Sequence, residues 1–542
     1  MLTIHAQEKR KIDIIYGGTF SKNELKYPGA SIFSSDGQQV QFQHQGIDVW
    51  CNMAIYYQEQ NVVKAFGDVY LQQGDSIKMN SAYIEYNGNT KQAVAREKVS
   101  LRNETTTLTT EELFFDRNIQ EVFYNSFGTV TDQDNVLTSQ RGRYLLEPKK
   151  YQFVSEVIIT NPEFNVSSQE LDYYTDSRNA YLYGPTTIIG EDYVMYCERG
   201  FYDTKIEQGY GVKNTRIDYD QKIIKGDSVF FDKQKQFAAS TNNIHILDTV
   251  NNGIVQGHYA EVWKAQDSMF VTKKAVAISL VDNDSMFIHG DKLMVTGKEG
   301  ERVIRAFNNA RFYKSDLSGK CDSIHSSQKT GITQLIKRPI LWSGENQMTG
   351  DSIHLISNLE TEKLDSLKVI NNAFIIEKDT LGDGYNQTKG KNLYGKFRDN
   401  RLYEVDIVQN TEVIYHIYDD SNVLTGINKT ICSAINITFD KDQKIEEITF
   451  IQDADGEITP EEDLPTNARR LLGFVWYGEE RIRSKEDLFD QDDLAIELVK
   501  IRGIDNPIDI DTEEQQRQGI IPKVDPNKPS TNTAKKQVPS KE

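Results

Sequence analysis

Cysteine is scarce in this chain: four residues among 542, at Cys51, Cys197, Cys321 and Cys432. There is no Cys-x-x-Cys pair and no dense even set, so neither a zinc knuckle nor a disulfide framework is encoded; the four read as small buried thiols. Proline is scarce too, at 12 residues, and no uninterrupted run of 18 apolar residues occurs, so no helix able to span a bilayer is encoded. Positive charge falls short, with 62 Lys and Arg against 81 Asp and Glu, a net charge of −19. A nucleic-acid partner needs a basic footprint and is not expected. Of the eight histidines, His258, His289, His325 and His354 lie nearest in phase, yet they share no offset that would make a ladder of metal ligands. No cofactor is expected.

What is present favours strands. Tyr and Phe number 27 and 24, beside abundant Val, Ile and Thr, while hydrophobic residues make up only 38%. The opening "MLTIHAQEKRK" reads as the end of a secretory signal processed before Gln7, which predicts an exported protein, placed in the periplasm.

The chain repeats. "MNSAYIEY" at 79–86 sets a template of an apolar residue, a small residue two on, an aliphatic three further and a closing aromatic. Steps of 29 residues reach "LTTEELFF", "LTSQRGRY", "VSSQELDY", "MYCERGFY" and "IKGDSVFF", and one step back reaches "WCNMAIYY". Asn52, Ser81, Thr110, Ser139, Ser168, Cys197 and Gly226 hold the small position. The step then loosens through Gly257, Gly290, Cys321 and Gly350, and a step of 40 reaches Gly390. Within each period the alternation of apolar and polar residues is that of strands, and the switch of parity at the small residue predicts a bend or bulge. The expectation is an all-β fold, an elongated β-jellyroll or solenoid of stacked short strands. One coil per period, twelve coils at about 4.8 Å each, would make a body on the order of 50 Å long.

The period also disposes of a misleading motif. "GDSV" at 226–229 and "GDSI" at 350–353 and 74–77 imitate the nucleophile block of a GDSL-type esterase, and "DSIH" at 322–325 and 351–354 imitates its Asp-x-x-His partner. A catalytic serine needs one built site, whereas these motifs recur in the turn and bend phases of the repeat. They are read as turn chemistry, in which Gly admits unusual φ and Asp and Ser hold backbone amides.

The predicted organisation is a signal remnant and lead-in over 1–40, the clearest repeats over 41–180, continued repeats over 181–360 and a looser continuation over 361–455. A partly helical cap or docking segment follows over 456–505, then a disordered tail over 506–542. Within the docking segment, 471–489 reads as an amphipathic helix that docks a partner through Phe474, Trp476 and Leu488, or as a cap on the open end. "IQDADGEITPEE" at 451–462 resembles part of an EF-hand loop, but Ile451 replaces the first carboxylate and Pro460 intrudes; it is read as an acidic turn.

The stretch "FGDVYLQQGDSIKMNSAYIEYN" resembles the OstA-like repeat of the lipopolysaccharide-transport bridge proteins, the LptA family, with Gly67, Asp68, Val69, Leu71, Ile77, Ser81, Ile84 and Tyr86 on the pattern. The resemblance is clearest over 40–180 and recurs more weakly to 360. It implies a periplasmic, V-shaped β-jellyroll whose apolar groove shields the acyl chains of lipid A. It further implies that partner transport proteins or a second copy join by edge-strand pairing, and that no catalysis is involved. The chain is several times longer than the single-module bridges, carries extra C-terminal sections and lacks room for the outer-membrane barrel of the translocon subunit. Candidate lipid-binding residues are the inward apolar positions Val69, Leu71, Ile77, Met79, Ile84, Val99, Leu101, Leu108, Leu113, Val157, Ile159, Val166, Leu171, Val194 and Val229. The alternative is a closed β-solenoid acting as a structural or adhesive surface protein. A filled interior favours that alternative; an apolar slot open along one side favours lipid binding.

Overall fold

The structure, a computed structural model, describes residues 11–501 except 104, 133, 220, 251–252, 282–283, 299, 362, 399–400 and 442–444. The first ten residues of the expected signal remnant and the expected tail 506–542 lie outside the described residues. Those described through Val499 belong to one compact unit.

The strands follow one another antiparallel, each pairing with the next. Val62–Gln73 pairs with Ile77–Asn87, which pairs with Gln92–Arg102, which pairs with Thr106–Asp116. Every such pairing comes in two stretches separated by a register shift, as where 62–66 face 83–87 and 69–73 face 77–81. The residues skipped on the longer side, Gly67 and Asp68, have φ of 72° and 44°. Consecutive left-handed pairs recur at Glu97–Lys98, Ser155–Glu156, Lys213–Asn214, Asn242–Asn243, Asn308–Asn309 and Asn371–Asn372. Each is a bulge that turns the strand through a corner, so its two halves belong to two arms of a prism. The first arm holds Met53–Tyr57 and the second holds Ile47–Cys51. Some layers break at the corner into two strands, and the 38 strands among the described residues therefore form 28 layers, 18 whole and 10 broken.

One period of the sequence is thus a hairpin of two bent strands, not a single coil. The stack contour is correspondingly longer, about 130 Å at ~4.8 Å per layer. The expected loosening after 361 is also different in kind. Leu364–Lys378, Tyr385–Arg398, Arg401–Tyr418 and Leu424–Phe439 run to 15, 14, 18 and 16 residues, so the phase drifts because the arms lengthen.

The corners explain the Gly-Asp-Ser motifs at 226–228 and 350–352. The small residue of each period points into the inner corner, where a Cβ on Gly226 would lie 2.3 Å from Ser240 Oγ and one on Gly350 would lie 2.3 Å from Val369 Cγ1. The following aspartate faces outward and accepts from the next corner: Asn243 Nδ2 donates to Asp227 at 2.9 Å and Asn372 Nδ2 to Asp351 at 2.9 Å. Asn309 Nδ2 and Asp291 repeat the contact at 3.3 Å. At these two sites the motif belongs to a ladder of corner hydrogen bonds, whereas Gly74-Asp75-Ser76 forms the turn between Val62–Gln73 and Ile77–Asn87, with Gly74 at φ 59°. The EF-hand imitation resolves likewise, into a left-handed pair at Gln452–Asp453 and the strand Asp455–Thr459.

Two large apolar cores fill the prism, one built from residues between Ile12 and Leu182 and one from residues between Ile244 and Phe439. Between them Met195, Cys197, Val212 and Val229 are buried but belong to neither. All four cysteines are free thiols.

The expected helix over 471–489 does not form. Gly473 takes φ 95°, and the segment runs as extended chain with 3-10 turns at Gly478–Glu480 and Lys485–Leu488, then one helical turn at Gln491–Leu494. It crosses the outer face of the second arm as a strap. Leu471 packs with Phe374, Ile376, Ile414 and Ile427, and Tyr385 meets the rings of Phe474 and Trp476, each at 5.2 Å. Buried glutamines fix its course: Gln387 Nε2 donates to Arg469 O at 2.9 Å, and Gln347 both donates to Val475 O at 2.8 Å and accepts from Tyr477 N at 2.7 Å. Further along, Arg311 donates to Leu488 O at 2.9 Å, His289 Nε2 lies 3.1 Å from Asp493, and Asn242 exchanges two hydrogen bonds with Val499. Phe474 and Trp476 pack within the chain and Leu488 is buried, on extended chain and turns along one arm and not across the end of the stack.

Candidate functional site

Successive residues of a strand point alternately into and out of the prism, so each arm presents every second side chain to the interior. In the first half of the stack these inward residues leave a cleft between the arms with about 930 Å³ of empty space, part of it open to solvent. From the second arm come Ile47, Leu71, Ile77, Met79, Leu101, Leu108 and Val130. The first arm contributes Ala93, Leu113, Phe115, Val122, Tyr124, Gly142, Tyr144, Tyr151 and Phe153, with Leu146 at its tip. Polar groups are few and mark the rim: Gln73, Asn103, Thr106 and Arg143, whose Nε lies 3.2 Å from Glu121.

Contacts between the tips of opposite arms bracket the cleft. On one side His44 Nδ1 lies 2.7 Å from Tyr86 Oη, and Arg117 Nη2 donates to Gln45 O at 3.2 Å. On the other, Tyr151 Oη meets Thr106 Oγ1 at 3.5 Å. Beyond it ion pairs tie the tips: Lys233 to Glu163 at 2.5 Å, Lys264 to Asp192 at 3.8 Å and Arg302 to Asp248 at 2.8 Å. An apolar slot with a polar rim, opening sideways, can hold a flexible hydrocarbon chain and leave its polar end in water. Among the described residues no group of His, Cys, Asp and Glu is gathered as a metal site.

The candidate residues divide into four sets. Leu71, Ile77, Met79, Leu101, Leu108 and Leu113 line the cleft. Val69, Ile84, Val99, Val157, Val166 and Leu171 are buried in the same core, and Ile159 packs against it half-buried. Val229 is buried farther along, outside this core. Val194 is a correction: it faces outward at 40% exposure, while Met195 and Cys197 beside it point inward at 4% and 1%. A slip of one residue moves a side chain to the opposite face of a sheet.

Sequence reasoning missed the aromatic wall. The closing aromatic of the template recurs at Tyr86, Phe115, Tyr144, Tyr173, Tyr202 and Phe231, 29 residues apart, and on the first arm this is an inward position near the mouth. Phe115 and Tyr144 line the cleft, and Tyr86 forms one of its bracketing contacts. The signal was in the repeat; only the facing of its last residue had to be read.

Residues 11–169 match the family model described as OstA-like protein, and the match spans every residue that lines the cleft. This stretch is similar to that family, in agreement with the resemblance of its repeats. No curated protein matches the chain.

Proposed function

We propose that the protein is a non-enzymatic carrier in lipopolysaccharide transport, a periplasmic bridge that shields lipid A acyl chains on their way to the outer membrane. The observation that carries this reading is the apolar, laterally open cleft, which lies wholly within the OstA-like span. Burying ten methylenes there is worth roughly 8 kcal/mol before the cost of association, enough for useful affinity without any single decisive residue. Partners in the pathway, or a second copy, would extend the stack by strand addition at its terminal layers. Ile14 and Ile15 in the strand Asp13–Tyr16 at one end, and Ile451 and Ile458 at the other, are exposed.

The second half supports a different role for that part of the chain. Leu335, Leu341, Met348 and Ile353 are fully buried there, which supports reading this part as a closed structural solenoid. The protein is then a carrier joined to a structural spacer.

The test is a photo-crosslinking residue at Met79, Leu108 or Leu113 in the exported full chain, in cells making lipopolysaccharide. Glu112 on the outer face and Leu341 in the second half serve as controls. Lipid adducts at the cleft positions and not at the controls are expected. Folded, exported protein with no adduct at any cleft position overturns the reading.

A further inference from the structure

Resting on that reading, we infer that Tyr124 is the specificity-determining floor of the cleft and limits the length of hydrocarbon chain it accepts. In most layers the inner corner is filled by small residues, such as Ser81, Ser168 and Cys197. At Tyr124 a full phenol ring lies there instead. The strand Glu121–Tyr124 ends at the corner, and its last side chain points inward across the second arm, 2% exposed. Two glycines make the room. A Cβ on Gly128 or on Gly142 would stand 2.5 Å from the ring carbon Cζ, so the ring lies against two bare backbones, one from each arm. The hydroxyl completes the fit at 2.6 Å from Ser139 Oγ. Burial pushes its pKa up to about 12, and it stays a neutral hydrogen-bonding group.

The ring is also a wall of the cleft, together with Gly142 and Val130 beside it. It therefore separates the open slot from corner space that its neighbours' missing side chains would leave empty. Removing it joins the two volumes, and apolar cavities made by deleting a large side chain stay dry and accept apolar guests. Neither glycine has a positive φ, so an alanine at Gly142 costs nothing in backbone conformation and acts only by pushing the ring toward the slot.

The experiment measures displacement of the fluorescent probe N-phenyl-1-naphthylamine from the full chain by saturated fatty acids of 10 to 20 carbons. For the unaltered protein affinity is expected to rise about fourfold per methylene until the slot is full, then to level off. In Tyr124→Ala the levelling moves to longer chains by on the order of four methylenes, and acids beyond the original limit gain about tenfold or more. Tyr124→Leu keeps an apolar corner and shows the same direction should the alanine variant unfold. Gly142→Ala moves the limit to shorter chains, and Tyr124→Phe, which keeps the ring, leaves it in place. An unmoved limit in folded Tyr124→Ala or Tyr124→Leu overturns the inference while leaving the carrier reading intact. If the unaltered chain binds neither probe nor acid, the carrier reading falls and the inference with it.

Discussion

The two halves of the stack share a repeat, a corner and an alternation, yet they are finished differently. Between Ile12 and Leu182 the core lies beside the cleft; between Ile244 and Phe439 one buried core runs on through both arms and carries the strap on its outside. The cleft is lined from both arms by Leu, Ile, Met, Phe and Tyr with Ala93, Gly142 and polar tip residues among them, and the second core combines Leu, Ile, Met and Phe with Ala260, Ala275, Ala306, Ala310 and Ala373. The second half is also covered from outside, by the strap. One backbone architecture therefore accommodates both an arm pair with a cleft between them and an arm covered from outside by a strap.

The largest effect that would sharpen this contrast comes from ending the chain after Thr459. Loss of the strap uncovers Phe374, Ile376, Ile414 and Ile427 and discards the buried side chains of Leu471, Ile482 and Leu488. At roughly 1.5–3 kcal/mol for each buried apolar side chain, denaturant unfolding should register a loss of several kcal/mol. Probe binding in the first half should be unchanged; its loss would break the separation of the halves.

Single deletions should differ next. Ile353→Ala opens a cavity in a buried core and should cost about 2–5 kcal/mol. Leu108→Ala only widens an existing slot and should cost about 1–2 kcal/mol, the transfer term alone. Equal costs, measured by chemical denaturation, would mean that the slot closes in solution.

A smaller loss, about 1–3 kcal/mol, is expected for Gln347→Ala, which leaves Val475 O and Tyr477 N without their partner under the strap. Faster proteolysis between 470 and 490 should accompany it.

A last effect, which starts from nothing at pH 8 and grows with pH, should be shared by both halves. Burial raises the thiols of Cys51 and Cys321 to about 12 and that of Cys197 to about 11, above the ordinary value of 9.0. The unfolded thiols ionise first, so this contribution to stability is full below pH 9 and declines as pH rises from there toward 11–12. Thermal melts between pH 8 and 10.5, with thiol labelling of native protein at pH 8, check it. Rapid labelling of Cys51 alone would show that the slotted half opens more readily.

Much of this was legible in the sequence. The spacing of small residues located the corners, and the alternation placed most inward residues, because both are local properties of a strand. Val194 failed because it stands one residue off the template, in which Met195 holds the inward position two before the small residue Cys197. Tyr124 was hidden for another reason: whether a ring fits a corner depends on the residues around it, such as Gly128 and Gly142, whose missing side chains make its room. The strap could not be read because its extended course is set by partners far away in sequence, Gln347, Gln387 and Arg311, and not by a period of its own.

Because each 29-residue period is a hairpin, it returns the chain to the arm and the direction from which it left. A gene duplication or deletion of one whole period would therefore lengthen or shorten the stack while every later residue keeps its facing. An insertion of a single strand would reverse the direction of every later one and exchange the residues meant for each arm. Lineages that carry this architecture should differ in length by pairs of strands, and the chain's growth is counted in hairpins.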